Sequence, residues 1–167
     1  MSKMQGEPAP LLSPALTAFM QQGLSISLAS RDIRHVPSLT RCLACRVLDD
    51  ATVVLFLLRE QALDLLRDLQ KCRRLAVVFS RPLTHQTIQI KGELVEVRPC
   101  EAEEHPLIER QLTRIREELV GMGFPDTMLR TFFQVVWENV DAVRFLPDAV
   151  FEQTPGPRAG HRMENVP

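Results

Sequence analysis

The run Arg81-Pro-Leu-Thr-His-Gln-Thr-Ile-Gln-Ile-Lys-Gly-Glu-Leu-Val-Glu-Val97 decides how the rest of the chain is read. Ile88, Ile90 and Leu94 alternate with Gln89, Lys91 and Glu93, the period of two that buries one face of a strand and wets the other. After Gly92 the apolar phase moves to Val95 and Val97, the slip a bulge makes where a strand bends around a barrel. One long, bent, central strand is therefore expected. Its polar face, Gln89 and Lys91, either meets bulk water or lines a site, and alternation does not choose between them.

Upstream of that stretch, Leu75–Ser80 reads as an apolar strand. Before it, Ala62, Leu65, Leu66 and Leu69 recur at helical spacing from Gln61 to about Lys71, and Lys71, Arg73 and Arg74 suit the negative end of that helix dipole. Thr52–Leu58 is a β-branched, almost continuous apolar run for a strand buried on both faces. Leu24–Ser30 and Val36–Leu48 make a hairpin through Arg31-Asp-Ile-Arg-His35, and Ser13-Pro14 starts a short helix that stops before Gly23. Downstream, Leu107 or Ile108, Leu112, Ile115 and Leu119 stripe a helix to about Val120, whose opposite face of mixed charges reads as solvated. Pro125-Asp126 opens a shorter helix through Phe133, and Val140–Phe145 is a last strand. The tail from Gln153 carries proline or glycine at nearly every other step and predicts no regular structure. The expected organisation is a flexible lead at residues 1–12, one domain at 13–152 with a helical excursion at 103–133, and a tail at 153–167.

With 167 residues and 45% hydrophobic content, one buried core is expected. A net charge of −1 gives no clustered positive field for nucleic acid or an anionic membrane, and the longest apolar run, Ala51–Leu58, is far short of a membrane span. The start shows no basic flank followed by an apolar run, so a cytoplasmic location is expected. Cysteines 42, 45, 72 and 100 are then reduced thiols. Cys42-x-x-Cys45 is half a zinc or redox pattern without its second half, and on a strand the two side chains converge only at a bulge; small buried hydrophobes is the simpler account. Histidines 35, 85, 105 and 161 fall in four separate turns or element ends. The fingerprints of Rossmann enzymes, P-loop NTPases, zinc proteases and α/β-hydrolases do not occur.

The order of these elements over about Leu16–Val97 resembles the pyridoxamine 5'-phosphate oxidase-like, FMN-binding split-barrel family. Arg41-x-Leu43-x-x-Arg46 is similar to the family's flavin-binding strand motif Arg-x-Val-x-x-Lys. Leu55-Phe-Leu-Leu58 stands where the family's next strand passes the phosphate and ring, and Gln86–Gly92 resembles the polar strand that carries a flavin-contacting glutamine. The resemblance implies a mainly β fold with flanking helices, a split β-barrel of about six strands. It also implies a homodimer with FMN at its interface, and an oxidoreductase of unidentified small-molecule substrate. Arg41 would clamp the phosphate, since a guanidinium pairs well with phosphate oxygens. Leu43, Leu57 and Leu58 would pack near the ring, and Gln86 or Gln89 would hydrogen-bond it. Strand parity sets Arg46 opposite Arg41 unless a bulge intervenes, leaving Arg46 for substrate or the partner chain.

Two departures stand out. Where the family's oxidases carry an Arg-Lys pair, this chain has Glu60-Gln61, with only Arg59 to substitute, and a carboxylate there repels phosphate. The C-terminal Trp and Arg-x-His of true pyridoxamine phosphate oxidases are replaced by Phe145-Leu-Pro147 and Thr154-Pro-Gly-Pro-Arg-Ala-Gly160. The alternative is thus a non-enzymatic split-barrel dimer that has lost its flavin and serves as a ligand-binding or interaction module. A haem-binding relative, with His85 or His161 as ligand, is a third possibility.

Overall fold

The computed structural model describes residues 11–163, so the expected lead at 1–12 lies outside them except for Leu11 and Leu12. Helix α1 (Pro14–Met20) starts where proline fits its first turn, with the Ser13 hydroxyl accepting from the Leu16 N–H. Strands β1 (Ser25–Arg31), β2 (Pro37–Val47) and β3 (Val53–Leu58) follow, then helix α2 (Leu63–Cys72). Next come β4 (Arg74–Ser80), β5 (Thr87–Pro99), helices α3 (His105–Gly121) and α4 (Asp126–Phe132), and β6 (Val140–Glu152). The strands close an antiparallel barrel in the order β1-β2-β3-β6-β5-β4. No helix among the described residues is long and apolar enough to cross a membrane.

Two apolar clusters account for the continuous hydrophobicity of β3. Val53, Leu55 and Leu57 face the barrel interior with Ile26, Leu28, Phe79, Ile90 and Phe145. Val54, Phe56 and Leu58 face outward and are buried under Ile108 and Leu112 of α3. Helix α2 covers the end of the barrel where β2 begins, burying Leu65 and Leu69, and Thr40 reaches the Gln61 carbonyl there (3.4 Å). Helix α1 covers the opposite end, where the Cys45 thiol donates to the Met20 carbonyl (3.0 Å).

The barrel is split on one side. Strand β1 pairs with β2 only from Arg31↔Pro37 to Ile26↔Cys42, so the rest of β2 needs other partners on that side. Gln111 of α3 supplies them as a strand would: its Oε1 accepts from the Cys45 N–H (3.0 Å) and its Nε2 donates to the Cys45 carbonyl (2.7 Å). Gln21 takes the Val47 N–H (3.1 Å). Gly23 lets α3 come this close, because a Cβ there would stand 2.4 Å from the Gln111 carbonyl oxygen.

Two sequence expectations change in detail. The phase slip of β5 falls between Leu94 and Glu96 rather than at Gly92, so Val95 is 43% exposed while Val97 packs against the core. Gly92 marks a separate shift beside β6, where a Cβ would meet the Leu146 carbonyl oxygen at 2.4 Å. Strand β6 continues past Phe145 to Glu152, because Pro147 stands opposite Gly92 at that irregular step, where a missing N–H is tolerated. The tail from Gln153 to Met163 forms no helix or strand, as expected, and turns back so that Glu152 N–H donates to the His161 carbonyl and Met163 N–H to the Val150 carbonyl, with a single bridge from Phe151 to Arg162.

Candidate functional site

A bulge in β2 organises the predicted residues. Its pairing with β3 shifts between Cys42 and Ala44, so two consecutive residues, Leu43 and Ala44, both face outward under α3. Cys42 and Cys45 consequently both face the interior, and Arg41 and Arg46 both face out. The parity argument that separated the arginines is corrected by this one extra residue. It also brings the two thiols into one core, where burial pushes Cys42 up to about 12 and raises Cys45 further. They are protonated packing residues.

Arg41 is half-buried on that outer face, beneath the corner where α4 ends. Its Nη2 donates to the Phe132 carbonyl (3.2 Å), and its guanidinium lies 4.1 Å from the Phe132 ring centroid and 5.1 Å from that of Phe133. Its Nη1 is buried and has no hydrogen-bond partner among the described residues. Burial lowers the guanidinium's pKa, yet arginine stays charged in proteins, so an unpaired cation persists at this position. Around it is a cavity of about 140 Å³, lined by side chains that include Leu24, Leu43, Leu112, Ile115, Phe132 and Phe133.

The remaining predicted residues are dispersed. Leu43 and Leu58 share the outer face with Arg41 but are 3% and 8% exposed, so α3 already covers them. Leu57 points into the barrel instead. Arg59 is spent on a carboxylate: its Nε and Nη2 donate to Asp141 at 2.9 and 2.5 Å. Gln86 is exposed in the β4–β5 turn. Gln89 stands on the outer face of β5, three strands from β2 in either direction around the barrel.

Glu60 lines a groove of about 780 Å³ between the β1–β2 hairpin and α2. Its cations Arg34 and Arg67 already pair with Asp32 and Asp64, leaving Glu60 and Asp68 against Lys71. The carboxylate expected to repel phosphate therefore lies in a groove that offers phosphate little.

Gln111, Asp141 and the Phe132–Phe133 corner were not singled out from sequence. Gln111 did leave a signal, since it is a polar residue inside the apolar stripe Ile108, Leu112, Ile115. Asp141 and Phe132 left none, as their partners are distant in the chain.

A flavin site can be tested against these residues. The orphaned Nη1 of Arg41 and the exposed Arg46 on the same face suit an anion. The ring-packing and ring-bonding residues do not assemble in one chain, and about 140 Å³ is below the roughly 300 Å³ at which small-molecule pockets usually begin. Within one chain these residues present a place for an anion, and the expected ring contacts do not meet.

No protein-family model and no curated protein matches the chain. Solved structures do. HupZ of Group A Streptococcus is 11% identical and superposes with a TM-score of 0.53, over 89% of this chain and 98% of that one. A putative pyridoxamine 5'-phosphate oxidase from Lactobacillus delbrueckii is 14% identical with a TM-score of 0.51, over 90% of this chain and 99% of that one. At such identities the likeness is one of fold alone, and together with the closed six-stranded barrel it identifies the architecture as a split barrel, the fold these two proteins share.

Proposed function

We propose that this protein is a ligand-binding split barrel whose ligand carries an anionic group received by Arg41. The observation that carries this reading is the buried Nη1 with no acceptor. An unpaired charge in a desolvated position is costly, and a ligand oxyanion supplies the missing acceptor. Phe132 and Phe133 would hold water away from that contact and so strengthen it. The test is a panel of anions, FMN and inorganic phosphate included, followed by thermal melting of the wild-type chain and of Arg41→Gln. Stabilisation that is lost in the variant supports the reading, and equal stabilisation of both removes it.

The second reading is an FMN-binding flavoprotein, a homodimer in which flavin would supply redox chemistry to an unidentified substrate. The bulge favours it, because Arg41 and Arg46 share a face as the Arg-x-Leu-x-x-Arg pattern requires for a common ligand. It needs two further things: withdrawal of the Phe132 corner, and a second copy to bring Gln89 of β5 toward β2, since within one chain they lie on opposite sides. The exposed Phe124, Met128, Phe132 and Val136 are consistent with a partner surface. Titration with FMN against riboflavin, alongside sedimentation, tests both requirements. Tight binding of FMN alone by a dimer favours the flavoprotein, whereas a monomer that ignores both flavins leaves the first reading.

A further inference from the structure

The surroundings of Arg41 restrict the chemistry of its ligand. The cavity is about 140 Å³, close to the roughly 150 Å³ of an apolar cavity that accepts one benzene ring. Among the described residues Arg41 is the only charged one in its wall, which is otherwise mainly Leu, Ile and Phe. A phosphate dianion would lose its hydration there for a single compensating charge. A carboxylate carries one charge, so the pair with Arg41 is neutral, and an apolar body behind it suits the walls formed by Leu24, Leu43, Leu112 and Ile115. The aromatic faces of Phe132 and Phe133 close the cavity above the guanidinium.

We infer that this cavity binds a compact apolar monocarboxylate, about one six-membered ring in size, with its carboxylate on Arg41 and its body between α3 and the Phe132–Phe133 corner. This deepens the reading that Arg41 receives an anion and rests on it. The ligand is bound whole, with no covalent step.

Benzoate is the probe, measured by calorimetry on the full chain, with benzyl alcohol, inorganic phosphate and FMN for comparison. Benzoate is expected to bind at least about tenfold more tightly than benzyl alcohol, the increment of one charge-assisted hydrogen bond. It is also expected to bind more tightly than phosphate or FMN. Arg41→Gln should bring benzoate down to the level of benzyl alcohol. Leu119→Phe narrows the same cavity while keeping the charge, and should weaken both. Benzoate that binds no better than benzyl alcohol, or equally well to Arg41→Gln, overturns the ligand class. Arg41-dependent binding of phosphate or FMN without benzoate binding overturns the ligand class and leaves the anion reading standing. No Arg41-dependent binding of any of these anions overturns both.

Discussion

Arg59 and Arg41 lie on neighbouring parts of the same barrel and have opposite fates. Arg59 gives two donors to Asp141, whose side chain is 8% exposed, and so closes the junction of β3 and β6. Arg41 has a carbonyl, two aromatic faces and a buried nitrogen with nothing to bond. The first is a finished structural pair and the second an unfinished one. An arginine on a strand with the right motif is thus no guide to ligand binding until its partners are known. Gln111 belongs with Arg59, since both its amide atoms are matched by the Cys45 backbone.

If satisfied polar groups hold the fold and the unsatisfied one holds a ligand, Gln111→Leu has the largest effect on stability. It strands a buried N–H and a buried carbonyl on β2, and unfolding by urea should show a loss of about 2–4 kcal/mol. A loss under 1 kcal/mol would mean that water or a shifted helix replaces the amide. Asp141→Asn comes next, at about 1–2 kcal/mol: Arg59 is 41% exposed, so water recovers part of the lost interaction. Neither change should touch ligand binding at Arg41, and a change in binding at either would blur the distinction.

Cys42, beside Arg41 but facing inward, shows another way to bury a titratable group. Burial raises its thiol from 9.0 to about 12, so it stays neutral, which a guanidinium cannot do. Because the folded pKa is raised, the stability linked to it is fully present below pH 9 and is lost as pH rises toward 12. One unit above 9 the loss is about 1.4 kcal/mol. Cys42→Ala should flatten the alkaline slope of stability, whatever its effect at neutral pH, and an unchanged slope would move the titration elsewhere.

Much of the fold was legible because it rests on local patterns. Alternation at Ile88 and Ile90, helical spacing at Leu65 and Leu69, and Ser13-Pro14 each act over a few residues and match the observed elements. What escaped depends on contacts between distant segments. The β2 bulge, which decides the facing of Arg41, Arg46 and both cysteines, is fixed by pairing with β3 and by α3 packing outside it. The continuation of β6 through Pro147 depends on its place opposite Gly92. The motif Arg41-x-Leu43-x-x-Arg46 could be found by reading; whether Arg41 had a partner could not, because Phe132 is 91 residues away.

The smallest expected effect on stability is the most informative. Arg41→Met removes a buried donor that has no acceptor and keeps an aliphatic stem of similar length against Phe132 and Phe133. It loses the Phe132 carbonyl bond and the cation–π contacts, worth about 1–2 kcal/mol together, and gains relief from desolvating an unpaired charge, which is of the same order. Unfolding should therefore stay within about 0.5 kcal/mol of wild type, while Arg41-dependent anion binding disappears. Were Arg41→Met as damaging as Asp141→Asn, Arg41 would be a structural residue after all, latching the α4 corner onto β2, and the cavity beneath it a packing defect. A stable variant that no longer binds the anion separates holding the barrel together from holding a ligand.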